Sequence, residues 1–108
     1  MKTIDNKKVS YITKEPNKEM TQLVDVINDT DYFKLIEECC NRATNPQQGF
    51  TYDDIKSIDR VKTTLKDAPG SVDFEDNDVS FIKGRVSTFT WRVADIQFVE
   101  FMDYIKNL

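Results

Sequence analysis

The sequence contains no histidine. That removes the one side chain whose unperturbed pKa lies between pH 5 and 8. It also removes the usual base behind a nucleophile and a common zinc ligand. Ser-His-Asp triads, Cys-His dyads and histidine-bearing zinc sites are excluded. Glycine is scarce, and Gly49, Gly70 and Gly84 stand too far apart to form a phosphate-cradling loop. With three glycines and three prolines, the composition argues against a disordered or turn-dense all-β chain. No apolar run approaches the ~18 residues needed to cross a bilayer. Met1 to Lys8 lacks the apolar stretch of a signal peptide. The expectation is a soluble, cytoplasmic protein that is not an enzyme and carries neither metal nor cofactor.

A chain of 108 residues suits one domain with a core of its own. Nineteen acidic side chains against fifteen basic ones give a net charge of -4. That disfavours nucleic acid as a partner, because binding a polyphosphate requires a basic surface. The two cysteines, Cys39 and Cys40, are adjacent. Neighbours on a helix point about 100° apart, so a disulfide between them would be strained. They read as reduced thiols, at least one of them in the core.

Along the chain, residues 1–18 read as a polar, extended N-terminal arm. Within it, Lys8-Val9-Ser10-Tyr11-Ile12-Thr13 has the β-branched and aromatic content of a short strand without a partner. Residues 19–108 read as a single helical domain. Met20, Leu23, Val24 and Ile27 recur at helical spacing and predict a first helix. Thr30 or Asp31 caps a second, which carries Phe33, Ile36 and Cys40, with Tyr32, Leu35 and Cys39 beside them. The loop from Ala43 to Gly49 separates it from a third.

That third helix has the clearest start in the chain. Thr51 and Asp54 form a capping box, with Phe50 and Ile55 placed for a hydrophobic staple. Ile55, Ile58, Val61 and Leu65 form its predicted inward stripe. After a brief extended Val72-Asp73-Phe74, Asp76 or Asp78 caps a fourth helix bearing Val79, Ile82, Val86 and Phe89. Gly84 lies inside it, at a cost of about 1 kcal/mol against alanine. It marks either the close approach of another helix or a weak point. Thr90-Trp91-Arg92 forms a turn into a last helix over 93–106, whose broad apolar face is central to the core or faces a partner. The fold class is therefore mainly α, a bundle of four or five helices with the arm as its only β element.

The acidic cluster Asp73, Glu75, Asp76 and Asp78 invites a calcium site. An EF-hand loop counted from Asp73 would need glycine at Asp78 and glutamate at Gly84, so the pattern fails. Asp53 and Asp54 are explained by capping rather than acid–base chemistry. Arg85, Trp91 and Arg92 form the one basic–aromatic patch, and Trp and Arg are favoured at protein contacts. Together with Tyr11 of the arm and Tyr104 of the last helix, they are the candidate partner-binding residues.

Asn45-Pro46-Gln47-Gln48-Gly49-Phe50-Thr51 leads into Ile55, Ile58, Arg60, Val61 and Leu65. Val72-Asp73-Phe74-Glu75-Asp76, a helix ending at Trp91, Val93-Ala94, and Ile96, Phe98, Val99 and Phe101 follow. This order over residues 45–108 resembles a group of small, largely uncharacterised proteins of tailed bacteriophages and prophages. The resemblance implies protein–protein contact, either in building the particle or in the host cell. The expected function is a non-enzymatic interaction module acting in particle assembly or as a virion component. Its partner is then a phage structural protein or a second copy of the chain. The alternative is a phage effector that inhibits a host transcription or defence protein.

Overall fold

Two antiparallel strand pairs frame four helices, and the first sixteen residues contribute half the strands. In the computed structural model, described for residues 1–42, 47, 49–91 and 93–108, the order is β1 (Lys2–Asp5), β2 (Lys8–Pro16), β3 (Leu23–Asp31), α1 (Tyr32–Cys40), α2 (Tyr52–Leu65), β4 (Ser71–Phe74), α3 (Asp76–Thr88) and α4 (Ile96–Lys106). β1 pairs with β4, and β2 pairs with β3. The fold is α+β, which corrects the expectation of a mainly helical bundle.

The first correction concerns Leu23–Asp31. Its apolar residues have helical spacing, but a helix forms only if its apolar face finds cover. The segment is also rich in Val, Ile, Thr, Asn and Asp, all middling or poor helix formers. It pairs instead with β2 through nine unbroken register partners, from Lys8↔Asp31 to Pro16↔Leu23. The strand at Lys8 to Thr13 therefore has a partner, and it extends to Pro16.

The second correction concerns the arm. β1 lies against β4, with Ile4 opposite Val72 and Lys2 opposite Phe74. Ile4 and Phe74 are fully enclosed in the core. Asn6 continues the tie, since its backbone N–H donates to Gly70 O at 2.8 Å and its side chain accepts from the Phe33 N–H at 3.1 Å. The N-terminal segment is thus built into the fold from both sides.

The helices follow their local signals more closely. Asp31 caps α1 by accepting from the Lys34 N–H. Both hydrogen bonds of the Thr51–Asp54 capping box form at α2. Ile58, Val61 and Leu65 are buried, but Ile55 is exposed, so the inward stripe begins one turn later than expected. The N-cap of α3 is Glu75, not the expected Asp76 or Asp78, and its side chain makes no capping hydrogen bond. Asp76 and Asp78 lie in its first turn, where they suit the positive end of the helix. α4 begins at Ile96, capped by Asp95, three residues later than Val93.

Phe98, Phe101 and Ile105 of α4 meet Ile82 and Val86 of α3, Ile36 and Cys40 of α1, and Ile4 in one apolar cluster. Each such side chain taken from water contributes roughly 1.5–3 kcal/mol. The loop expected from Ala43 to Gly49 falls mostly outside the described residues, as does Arg92.

Candidate protein-interaction site

The β2–β3 hairpin is fastened at its base and bare beyond it. At the base Val9 is buried, and the Tyr11 ring sits 5.1 Å from that of Phe98. Gln97 of α4 spans the outer edge of β2. Its Oε1 accepts from the Ser10 N–H at 3.2 Å, and its Nε2 donates to the Ser10 carbonyl. One side-chain amide thus satisfies both backbone groups that a third strand would take.

This contact fixes the alternation of the ladder. Ser10 directs its amide outward, so Ile12 and Lys14 do the same. Their register partners Asp29, Ile27 and Asp25, with Leu23 next in step, present their amides along the far edge of β3. Pro16 blunts the end of the β2 edge, because it has no N–H. The β3 edge has no proline, glycine or register break. Among the described residues no strand lies beyond either edge.

The outward face of the hairpin is apolar along its middle. Ile12 is 55% exposed, and its cross-strand partner Ile27 is 70% exposed. Leu23 follows at 64%. Polar pairs flank them: Ser10 Oγ donates to Asp29 at 2.6 Å, and Lys14 meets Asp25 at 2.5 Å. Asp25, Asp29 and Asp31 make the β3 side acidic.

Beneath the opposite face lies a cleft of about 380 Å³, bounded by Tyr11, Thr13 and Asn28 of the hairpin, Leu35 and Glu38 of α1, and Trp91. Trp91 stacks on Phe98 at 4.7 Å and 16°, and meets Phe89 edge-on at 4.6 Å. Its indole N–H donates to Met102 Sδ at 3.1 Å. Asn28 spends its amide protons within the hairpin, on Thr13 Oγ1 at 2.8 Å and Val26 O at 3.2 Å. Arg42 lies 5.2 Å over the Phe89 ring and 3.6 Å from Glu38, so these two charges of the cleft are matched to each other.

The candidate residues from the sequence therefore divide. Tyr11 and Trp91 share the Phe98 wall at the hairpin base. Arg85 is buried elsewhere, with Nη2 3.2 Å from the Asp54 carboxylate and its guanidinium 5.1 Å from the Phe81 ring. It ties α3 to the start of α2. The Thr51 backbone N–H, and after it the Thr51 hydroxyl and Arg85, hold the Asp54 carboxyl below its usual range. Tyr104 lies under Lys7 and accepts from the Asp5 N–H at 2.9 Å. Arg92 is outside the described residues. Ile12, Leu23, Ile27 and Gln97 were not singled out as site residues from sequence, and the β-branched Val24, Val26 and Ile27 were the one weak signal for a strand there.

Other groups are committed to structure. Burial pushes both the Cys39 and Cys40 thiols up to about 12. Of the acidic cluster, Asp73 accepts from Thr3 Oγ1, Asp76 pairs with the Met1 ammonium and Asp78 pairs with Arg60. Among the described residues, no group of three or more Cys, Asp or Glu side chains is arranged to hold a metal ion. No described helix is long and apolar enough to cross a membrane. No protein-family model, no curated protein and no solved structure matches the chain.

Proposed function

We propose that the protein is a non-catalytic interaction module, encoded by a tailed bacteriophage or prophage, that acts in particle assembly. It takes an extended segment of another particle protein as a third strand on the β3 edge. One observation carries the reading: a nine-pair hairpin leaves that edge open while exposing Ile12, Leu23 and Ile27 on the adjoining face. A two-stranded ribbon is marginal in water by itself. An open, regular edge is a template for strand addition. The base is anchored through Tyr11, Phe98 and Gln97, so the edge is presented by a rigid support.

The chemistry of the partner follows from the face. Asp25 and Asp29 alternate with Leu23 and Ile27. On the face that adjoins Leu23 and Ile27, the complementary strand carries basic and apolar residues in turn at every second position, so that its cations meet the aspartates and its apolar side chains cover Leu23 and Ile27. The resemblance of residues 45–108 to phage proteins supports a phage setting, and the open strand edge favours assembly within it.

Amide hydrogen exchange tests this directly. A peptide of the form Lys-Thr-Val-Thr-Lys-Thr-Val, which sets Lys and Val in turn along one face, should protect the amides of Leu23, Asp25, Ile27 and Asp29. Its backbone N-methylated form should not. Protection confined to the Trp91 cleft, or none, would sink the reading. Ile12→Lys should leave the fold intact and weaken capture of the natural partner. Retention of a host protein in place of a particle protein would favour the inhibitor role instead.

A further inference from the structure

A second surface stands apart from the hairpin. α3 and α4 enclose a groove of about 540 Å³ floored by Val86 and Ile105, with Val99 and Met102 on one wall and Lys83 and Gly84 on the other. Gly84 sits inside α3, where it costs about 1 kcal/mol against alanine. Nothing among the described residues repays that cost, because a Cβ built on Gly84 has no heavy atom of theirs within 4 Å. The close helix approach that a mid-helix glycine suggests is absent among the described residues. The space above it is where another helix would fit.

We propose that this groove is the interface of a homodimer, in which α4 of a second copy lies antiparallel to α4 and packs over Gly84. The charge pattern selects this occupant. Asp103 and Lys106 stand one turn apart on the same wall of the groove and have opposite signs. A two-fold axis across antiparallel helices brings each Lys106 towards the Asp103 of the other copy. Lys83 does not disturb this match, since its Nζ donates to the Leu108 carbonyl at 2.6 Å. In this register the two helices overlap over residues 101–108, and Met102 supplies the apolar contact beside the charged pairs. An isologous dimer is the commonest closed assembly, and it requires such a self-complementary patch. The glycine then acts as a small residue at a helix crossing, letting the backbones approach.

Light scattering and sedimentation of the full chain over a range of micromolar concentrations test the proposal. The expected mass is twice the 12.6 kDa of one chain. Gly84→Gln puts a side chain into the crossing, and Asp103→Lys sets like charges against each other. Each should raise the dissociation constant more than about tenfold. Combining Asp103→Lys with Lys106→Asp should restore dimerisation, which a variant that merely misfolds could not do. Gly84→Ala serves as the folding control and should raise the melting temperature of the separated chain. A wild-type monomer at every concentration overturns the proposal. So does a dimer indifferent to both Gly84→Gln and Asp103→Lys. Strand addition at β3 uses other residues and another assay, so either reading can fail alone.

Discussion

Truncating Ile4 to alanine tests whether the N-terminal strand belongs to the core. Ile4 is completely buried, opposite Val72 in the β1–β4 pair. The change removes about three methylene equivalents, or roughly 2.4 kcal/mol of transfer free energy at about 0.8 kcal/mol each. A cavity term adds to this, and buried Ile→Ala changes cost about 2–5 kcal/mol in all. We therefore expect a loss of about 3 kcal/mol. At roughly 4 °C per kcal/mol for a domain of this size, the melting temperature falls by about 12 °C. Urea unfolding followed by the fluorescence of Trp91, the only tryptophan, reads the loss as a shifted midpoint with an unchanged slope. Lys2→Ala, at the exposed end of the same strand, is the control and should stay within about 0.5 kcal/mol. A loss below about 1 kcal/mol for Ile4→Ala would refute the packing argument and return residues 1–5 to the status of an arm.

Four further outcomes follow from local geometry. Thr51→Ala removes one half of the capping box and should cost about 1 kcal/mol, measured by thermal unfolding. The lowered pKa of Asp54 contributes stability that is present at neutral pH, above the unfolded carboxylate value. It is lost as pH falls through the folded value, so Asp54→Asn should flatten the acid limb of the stability profile. Arg60→Ala leaves the nearly buried Asp78 without the guanidinium 3.1 Å away, and should cost about 1–3 kcal/mol, with partial recovery when Asp78→Asn is added. Cys39 and Cys40, with pKa values of about 12 and no exposed sulfur, should resist Ellman's reagent in the native protein and react once urea unfolds it.

The candidate site was partly legible in the sequence. Tyr11 and Trp91 were marked as an isolated aromatic in an apparent strand and an aromatic in a turn, and both meet Phe98. The apolar face of the hairpin was misread. Leu23 and Ile27 are four apart, a spacing common to one helix face and to one side of a strand. The intervening Asp25 and the β-branched Val24 and Val26 favour the strand, but weakly. Arg85 looked like a surface cation beside Trp91. Its burial depends on Asp54, which lies thirty-one residues earlier and on another helix.

Helix starts at Asp31 and Thr51 were determined by the sequence itself, because a cap is closed by residues three positions apart. The burial of Ile58, Val61, Leu65, Val79, Ile82, Val86, Phe98, Phe101 and Ile105 was likewise legible, because helical spacing places them on common faces. Only the tertiary structure decided that Leu23–Asp31 is a strand and that Lys2–Asp5 pairs with Ser71–Phe74. The first choice balances a weak helical face against nine cross-strand pairs. The second joins segments about seventy residues apart, and its main reward is the burial of Ile4 and Phe74 in a core that other elements must first assemble.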